Sequence, residues 1–272
     1  MTKVKNYKVA TIQMDCELGN TEENFKTAEI YINKAYKMGA KLVILPELFN
    51  TGYRVEENDS SLAEKIPGKT TNWLQQQSQN TNMMFITAIM ECGEINGLVY
   101  DTAVIIDENG IVGSYKKSYL WDKEKFRFTP GNNDFPVFKT DLGNIGLQIC
   151  YELGFPEPSR KLALNGADII AFPSAFGKAR TYVWDIANSS RAIENGVFTL
   201  SANRIGQDKD TQFAGHSKIV SPSGKILDEL ADSEGITIAD INLDEVTEQR
   251  KKLPYLRDLD KSLYNNIGKQ II

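Results

Sequence analysis

The chain reads as an α/β protein built on a mixed sheet or on two packed sheets. Three observations predict it. Early in the sequence, short apolar strands alternate with helical patterns, as in parallel strand–helix–strand units. Late in the sequence, strands follow one another with only turns between them, as at Ser221-Pro222-Ser223-Gly224. Between these regions, three strands end in chemistry-bearing residues, Glu47, Lys117 and Cys150.

Residues 8–14 read as a strand. Asn20 and Glu23 are spaced as an N-cap and its N3 partner. Phe25, Ala28, Ile32 and Ala35 recur at helical spacing until Gly39 stops the helix. Residues 41–45 contain Leu-Val-Ile-Leu, apolar enough for burial on both faces, and Pro46-Glu47 follows. That order implies a right-handed crossover and a parallel pair. Residues 49–69 are polar and irregular, which predicts a long functional loop. A helix is expected over 70–80 and an apolar strand over 83–90. Residues 99–106 and 111–117 flank Asp107-Glu108-Asn109-Gly110, a hairpin signal. Residues 119–133 form a second irregular loop, and a strand begins at Phe135.

The stretch 143–157 organises the rest. Ile145, Leu147 and Ile149 alternate with Gly146 and Gln148, a strand that runs into Cys150. Pro156 is placed to open a helix that ends at Asn165-Gly166. Residues 168–172 are a strand, and 181–195 show helical spacing at Val183, Ile186, Ala187 and Ile193. Residues 197–202, 215–220 and 235–241 are strands, 242–251 a short charged helix, and the tail from Leu253 is polar with scattered aliphatics. Without repeats or linkers, the reading is a single domain, 1–272, in which 243–272 is a C-terminal tail that contacts a partner subunit.

Composition narrows the function. The 272 residues are 41% apolar and 25% charged, as in soluble globular proteins. A net charge of −5 argues against non-specific nucleic-acid binding. No apolar run approaches a membrane span, and the N-terminus lacks the apolar core of a signal peptide. Cys16, Cys92 and Cys150 are too few and too scattered for a disulfide framework or a metal pattern. The expected setting is cytoplasmic and reducing, with no metal and no cofactor, so chelation should leave activity intact. Cys16 and Cys92 read as buried thiols. His216 is the single histidine, which excludes mechanisms needing two, and it reads as structural.

Ligand sites in α/β sheets gather at the carboxyl ends of strands. A carboxylate, an ammonium and a thiol brought together there make a self-sufficient acyl-transfer site. Glu47 can take the thiol proton, while Lys117 can lower the thiol pKa and hold an oxyanion. At a strand-to-helix turn the Cys150 thiol would stand at the sheet edge near exposed backbone N–H groups.

Three motifs occur in order: Leu45-Pro46-Glu47-Leu48-Phe49, Tyr115-Lys116-Lys117-Ser118-Tyr119-Leu120 and Gly146-Leu147-Gln148-Ile149-Cys150-Tyr151-Glu152. Phe155-Pro156-Glu157, Arg191-Ala192-Ile193-Glu194-Asn195 and Gly215-His216-Ser217 follow. In these the chain resembles the amidase-like branch of the nitrilase superfamily of carbon–nitrogen hydrolases over residues 7–250. The resemblance implies a four-layer α-β-β-α sandwich of two mixed sheets flanked by helices. It implies Glu47 as general base, Lys117 as oxyanion stabiliser and Cys150 as nucleophile, with the Tyr151 N–H completing the oxyanion hole. Motif register selects Lys117 over the adjacent Lys116. A second family carboxylate falls on Glu124, to position the substrate. The resemblance also implies a homodimer or larger even homo-oligomer, packed through the helices over 156–165 and 181–195.

Two departures bear on the substrate. Tyr119 stands where many relatives carry His, and Gly154 where many carry Arg. Trp121 and Phe176, in loops near strand ends, are the expected pocket walls. Tyr151 in place of Trp favours hydrolysis of a small-molecule amide to carboxylate and ammonia through a cysteine thioester. N-carbamoyl hydrolysis, nitrile hydrolysis and a catalytically idle binding role rank below it. Glu47, Glu124 and Glu152 suggest a preference for neutral or cationic amides, with Arg180 and Arg127 as the side chains able to reverse it.

Overall fold

The computed structural model describes residues 4–260 and 262. In chain order the first half contains β1 (Asn6–Gln13), α1 (Thr21–Lys37), β2 (Ala40–Glu47), α2 (Asp59–Leu62), α3 (Lys69–Thr81), β3 (Met84–Cys92), β4 (Val99–Asp107) and β5 (Gly110–Lys116). The second half contains β6 (Val137–Thr140), β7 (Gly143–Leu147), α4 (Pro156–Leu164), β8 (Ile169–Ser174), α5 (Thr181–Asn195), β9 (Phe198–Asn203), β10 (Gln207–Asp208), β11 (Thr211–Gln212), β12 (Lys218–Val220), β13 (Ile226–Glu229), β14 (Gly235–Asn242), α6 (Asp244–Lys252) and α7 (Tyr255–Asp258). They form two mixed six-stranded sheets, ordered β14-β1-β2-β3-β4-β5 and β13-β12-β9-β8-β7-β6. In each, the central strands are parallel and the outer ones antiparallel.

Period-2 alternation sorts the side chains into layers. In the first sheet Val9, Leu42, Ile44, Ala103 and Ile105 face the second sheet, in one core with Ile145, Leu147, Ile169, Ala171 and Leu200. Their neighbours Ala10, Ile12, Val43, Leu45, Val104 and Ile106 face the other way, against Phe25, Ala28 and Ile32 of α1 and Leu74 of α3. On the second sheet Gly146 faces α4, where a Cβ would come within 2.8 Å of the Leu162 side chain. The layers therefore run helix, sheet, sheet, helix, as expected. Each buried Ile or Leu contributes about 1.5–3 kcal/mol, so the sheet-on-sheet core dominates stability.

The predicted cap of α1 is present, with the Asn20 side chain accepting from the Glu23 N–H at 3.3 Å. Three expectations change. Residues 49–69 are not irregular throughout: they hold a 3-10 turn, Glu56–Asn58, and α2. Backbone pairing explains their order, since the Glu64 N–H donates to Met90 O (2.9 Å) and the Cys92 N–H to Glu64 O (2.8 Å). The strand expected over 215–220 begins only at Lys218, because Gly215 and His216 take positive φ (64° and 56°). Helix α5 buries Trp184, Ala187, Asn188, Arg191 and Asn195 and leaves Ile186 and Ile193 exposed. Its polar face turns inward because those side chains find partners there, such as Leu153 O for Arg191. The start of the tail packs on its own chain, with Val246 buried and Leu256 against the core. Residues 261 and 263–272 of the tail lie outside the described residues.

Candidate active site

The cysteine turn is held from two sides. After β7 the chain enters a 3-10 helix, Cys150–Gly154, and Pro156 opens α4. Cys150 has φ 46°. A branched-free but non-glycine residue in the left-handed region costs about 1–3 kcal/mol, and such strain persists where surroundings over-determine it. Here Glu152, fully buried, accepts from the Ile149 N–H (2.8 Å), the Tyr115 hydroxyl (2.6 Å), the Ser118 N–H (2.8 Å) and the Tyr119 N–H (3.1 Å). It ties the cysteine turn to the lysine loop. From the other side Arg191 donates to Leu153 O at 3.0 Å and Gly154 O at 3.3 Å. The Tyr151 N–H lies in the first turn of the 3-10 helix, where donors lack intrahelical acceptors.

Lys117 follows β5 and is fully buried, its N–H donating to Asp101 O at 2.8 Å. Its ammonium is 2.6 Å from Glu47 Oε1, 2.9 Å from Glu124 Oε1 and 3.3 Å from Asp101 Oδ2. Glu47 Oε2 accepts from the Ala175 N–H at 2.8 Å. Glu124 accepts from the Tyr53 hydroxyl at 2.6 Å and the Trp121 N–H at 2.7 Å. The Cys150 thiol is buried beside them, close enough for its state to be felt at Glu47 and Lys117. The structure thus brings Glu47, Lys117, Glu124 and Cys150 together as expected. Lys116 points elsewhere, over the Tyr100 ring at 3.8 Å.

The electrostatics differ from expectation at the thiol. Burial and the Glu47 carboxylate push the Cys150 thiol well above its ordinary range, and Lys117 opposes them only in part. Cys150 therefore rests protonated. Burial raises the Glu47 carboxyl too, but Lys117 and hydrogen bonds from Asp101, Lys117 and Cys150 outweigh it and hold the group below the usual range. Burial lowers Lys117, while Glu124, Glu47 and Asp101 raise it well beyond its ordinary value, so it is a permanent cation at neutral pH.

A cavity opens onto Cys150, lined by Glu124, Tyr151, Trp121, Phe176, Arg180 and Tyr53 among others. Trp121 and Phe176 are the walls the sequence predicts. Glu152, expected to add charge to this region, is consumed by the turn. Arg127 is bound to Asp59 by two donors at 2.9 and 2.8 Å. Arg180 stacks on Trp121, its guanidinium carbon 4.1 Å from the ring centroid, with no ion-pair partner among the described residues. Sequence reasoning missed Asp101, Tyr53 and the Ala175 N–H. Asp101, a carboxylate inside an otherwise apolar strand, was the available signal. The other two carry none, since a loop tyrosine and a backbone amide gain meaning only from position.

A second lysine cluster lies elsewhere. Lys218, also fully buried, is 2.6 Å from Asp185 and 2.7 Å from Glu229, and His216 Nδ1 is 3.4 and 3.2 Å from the same carboxylates. His216 thus has charged partners that its sequence neighbours do not reveal.

A thiol, a carboxylate and an ammonium gathered from the ends of three strands of two sheets, beside a pocket, are the groups of a thiol-dependent hydrolase. The chain belongs to the carbon-nitrogen hydrolase family, whose profile matches residues 8–251. It is 36% identical over 258 residues to a protein named nitrilase from Pyrococcus abyssi (strain GE5 / Orsay), covering 93% of this chain and 96% of that one. It is 33% identical to 2-oxoglutaramate amidase of Bacillus subtilis (strain 168), covering 95% and 99%. The crystal structure of a carbon-nitrogen hydrolase from Helicobacter pylori G27 superposes with a TM-score of 0.91 at 27% identity, covering 98% and 100%. No helix among the described residues is long and apolar enough to cross a membrane.

Proposed function

We propose that this hydrolase is an amidase that converts a small carboxamide to carboxylate and ammonia through a thioester on Cys150. The observation that carries it is the buried juxtaposition of the Glu47 carboxylate and the Lys117 ammonium, 2.6 Å apart, with the Cys150 thiol that lines the cavity. Glu47 accepts the thiol proton as sulfur attacks the amide carbon. Lys117 and the Tyr151 N–H hold the oxyanion. Glu47 returns the proton to the departing nitrogen and ammonia leaves; water then attacks the thioester with Glu47 taking its proton, and Glu47 passes that proton to the departing sulfur, which restores the Cys150 thiol as the acid is released. Glu124, fixed by Tyr53 and Trp121, presents its carboxylate to the substrate amide N–H. The amidase names of the Bacillus relative and of mammalian relatives support an amide, while the Pyrococcus relative is named a nitrilase. Mass spectrometry of the enzyme quenched during amide turnover should find an acyl adduct on Cys150. An unmodified Cys150 with ammonia still released would refute this chemistry.

A second reading concerns substrate charge. Arg180 is a pocket cation without a carboxylate partner among the described residues, unlike Arg127 and unlike Arg54, which pairs with Glu56 and Asp210. This favours amides carrying a distal carboxylate over the neutral amides expected from the sequence. Arg180→Gln should then cost an ω-carboxylate amide about tenfold to a hundredfold in kcat/KM, and its neutral analogue of equal length under threefold. Equal losses on both would restore the neutral preference.

Exposed Tyr182, Ile186 and Ile193 along α5 support a homodimer formed through α4 and α5, to be tested by sedimentation. The three free cysteines suit a cytoplasmic setting.

A further inference from the structure

Three carboxylates, Glu47, Asp101 and Glu124, enclose the Lys117 ammonium, and one oxygen from each lies within 4.8 Å of the others. Were all three ionised, one cation would face three anions in a region without solvent exposure. Such a site lowers its energy by taking up a proton. Counting donors identifies where the proton sits. Glu47 has a donor on each oxygen, Lys117 on Oε1 and the Ala175 N–H on Oε2. Glu124 likewise has Lys117 and Tyr53 on Oε1 and the Trp121 N–H on Oε2. Asp101, 1% exposed, accepts a hydrogen bond on neither oxygen. Its carboxyl faces Glu47, one oxygen of each lying within 4.8 Å of the other, and a hydrogen bond between two carboxyl groups needs one of them protonated.

We infer that Asp101 is a positioning residue that remains a neutral carboxylic acid at neutral pH and donates its proton to Glu47. The inference rests on Glu47 being the base of the proposed amidase reaction. The bond holds the Glu47 carboxylate in place between Lys117 and the thiol. It also keeps the base ionised when a second nearby anion would work against that. The surrounding charges act consistently. Burial raises the Asp101 carboxyl well above the usual range, Lys117 opposes it, and Glu47 and Glu124 add to burial. The groups that face Asp101 are thus Glu47 from β2, Lys117 from the end of β5 and Glu124 from the loop after it, with the Cys150 thiol beyond Glu47.

The test compares Asp101→Asn, which donates but cannot ionise, with Asp101→Val, which does neither. The Asn variant should keep kcat/KM within about threefold of the parent and leave the acid limb of its pH profile in place. The Val variant should lose about tenfold or more and move that limb up by about one pH unit, because Glu47 loses a donor. An acid limb that moves down in the Asn variant would mean a negative charge had been removed, and would overturn the inference. So would an unmoved limb in the Val variant. An infrared difference spectrum between the parent and Asp101→Asn, taken without substrate, should show loss of a protonated carboxyl band. Absence of that band overturns the inference whatever the enzyme hydrolyses, and whether or not the Val variant folds. Failure of the amidase reading would instead appear as a band present with no acyl-enzyme.

Discussion

Among the described residues two lysines are fully buried beside carboxylates, and their surroundings differ. Lys117 and Lys218 are both without solvent exposure, and each lies within 2.7 Å of a carboxylate oxygen. Around Lys117 every partner is buried too, at 0–1% side-chain exposure. Around Lys218 the partners Asp185 and Glu229 are 40% and 29% exposed. Water can stabilise the second set of charges but not the first. The first cluster adjoins a thiol and a cavity. An ion pair becomes a reaction centre when low dielectric forces its groups off their ordinary pKa values and a nucleophile shares the space. The Lys218 cluster joins α5 to β12 and β13, a clamp on the outer layer.

The largest effect that would break this comparison is at Cys150. Cys150→Ala should lower amide hydrolysis by roughly 10³-fold or more and leave the thermal transition within a few degrees. Measurable turnover by the purified variant would move the reaction centre away from Lys117. Next is Glu47→Gln, expected to cost about 10²–10⁴ in kcat/KM. In the parent, Glu47 sits below its unfolded pKa, so the base is fully available above the ordinary glutamate range. Activity, and the stability that Glu47 contributes, are lost as pH falls through the depressed folded value. A pH profile whose acid limb lies at or above about 4.3, the ordinary glutamate value, would contradict that. The smallest effect is at the second cluster. Lys218→Met should leave kcat/KM within about twofold and lower unfolding free energy by about 1–2 kcal/mol, less than a fully buried pair because its acids reach water. Urea denaturation with parallel assays checks it, and a tenfold activity loss without destabilisation would erase the distinction between the two lysines.

The sequence made much of the site legible because its parts sit at the ends of regular elements. An apolar run located β2, a hairpin signal β5 and alternation β7, and Glu47, Lys117 and Cys150 lie within three residues of their ends. The same logic failed on α5. There the spacing of Ile186 and Ile193 predicts an apolar inner face, while the folded chain turns Asn188, Arg191 and Asn195 inward. Periodicity counts hydrophobicity. It cannot count carbonyls such as Leu153 O and Gly154 O that wait for a guanidinium.

Composition and pattern by themselves determined the α/β class and the approximate strand ends, because these depend on local spacing and on residue type; Glu47, Lys117 and Cys150 became candidates for the reaction through motifs shared with a known family. Tertiary structure alone decided the protonation states and the division of labour. Whether Cys150 rests as thiol or thiolate depends on which charges lie within a few ångströms across two sheets. Asp101 and Glu47 are far apart in the chain, and only the fold places one beside the other. Arg127 and Arg180 are the same residue type in similar loops. One is neutralised by Asp59 and the other is left facing the pocket, a distinction made by partners that no sequence spacing specifies.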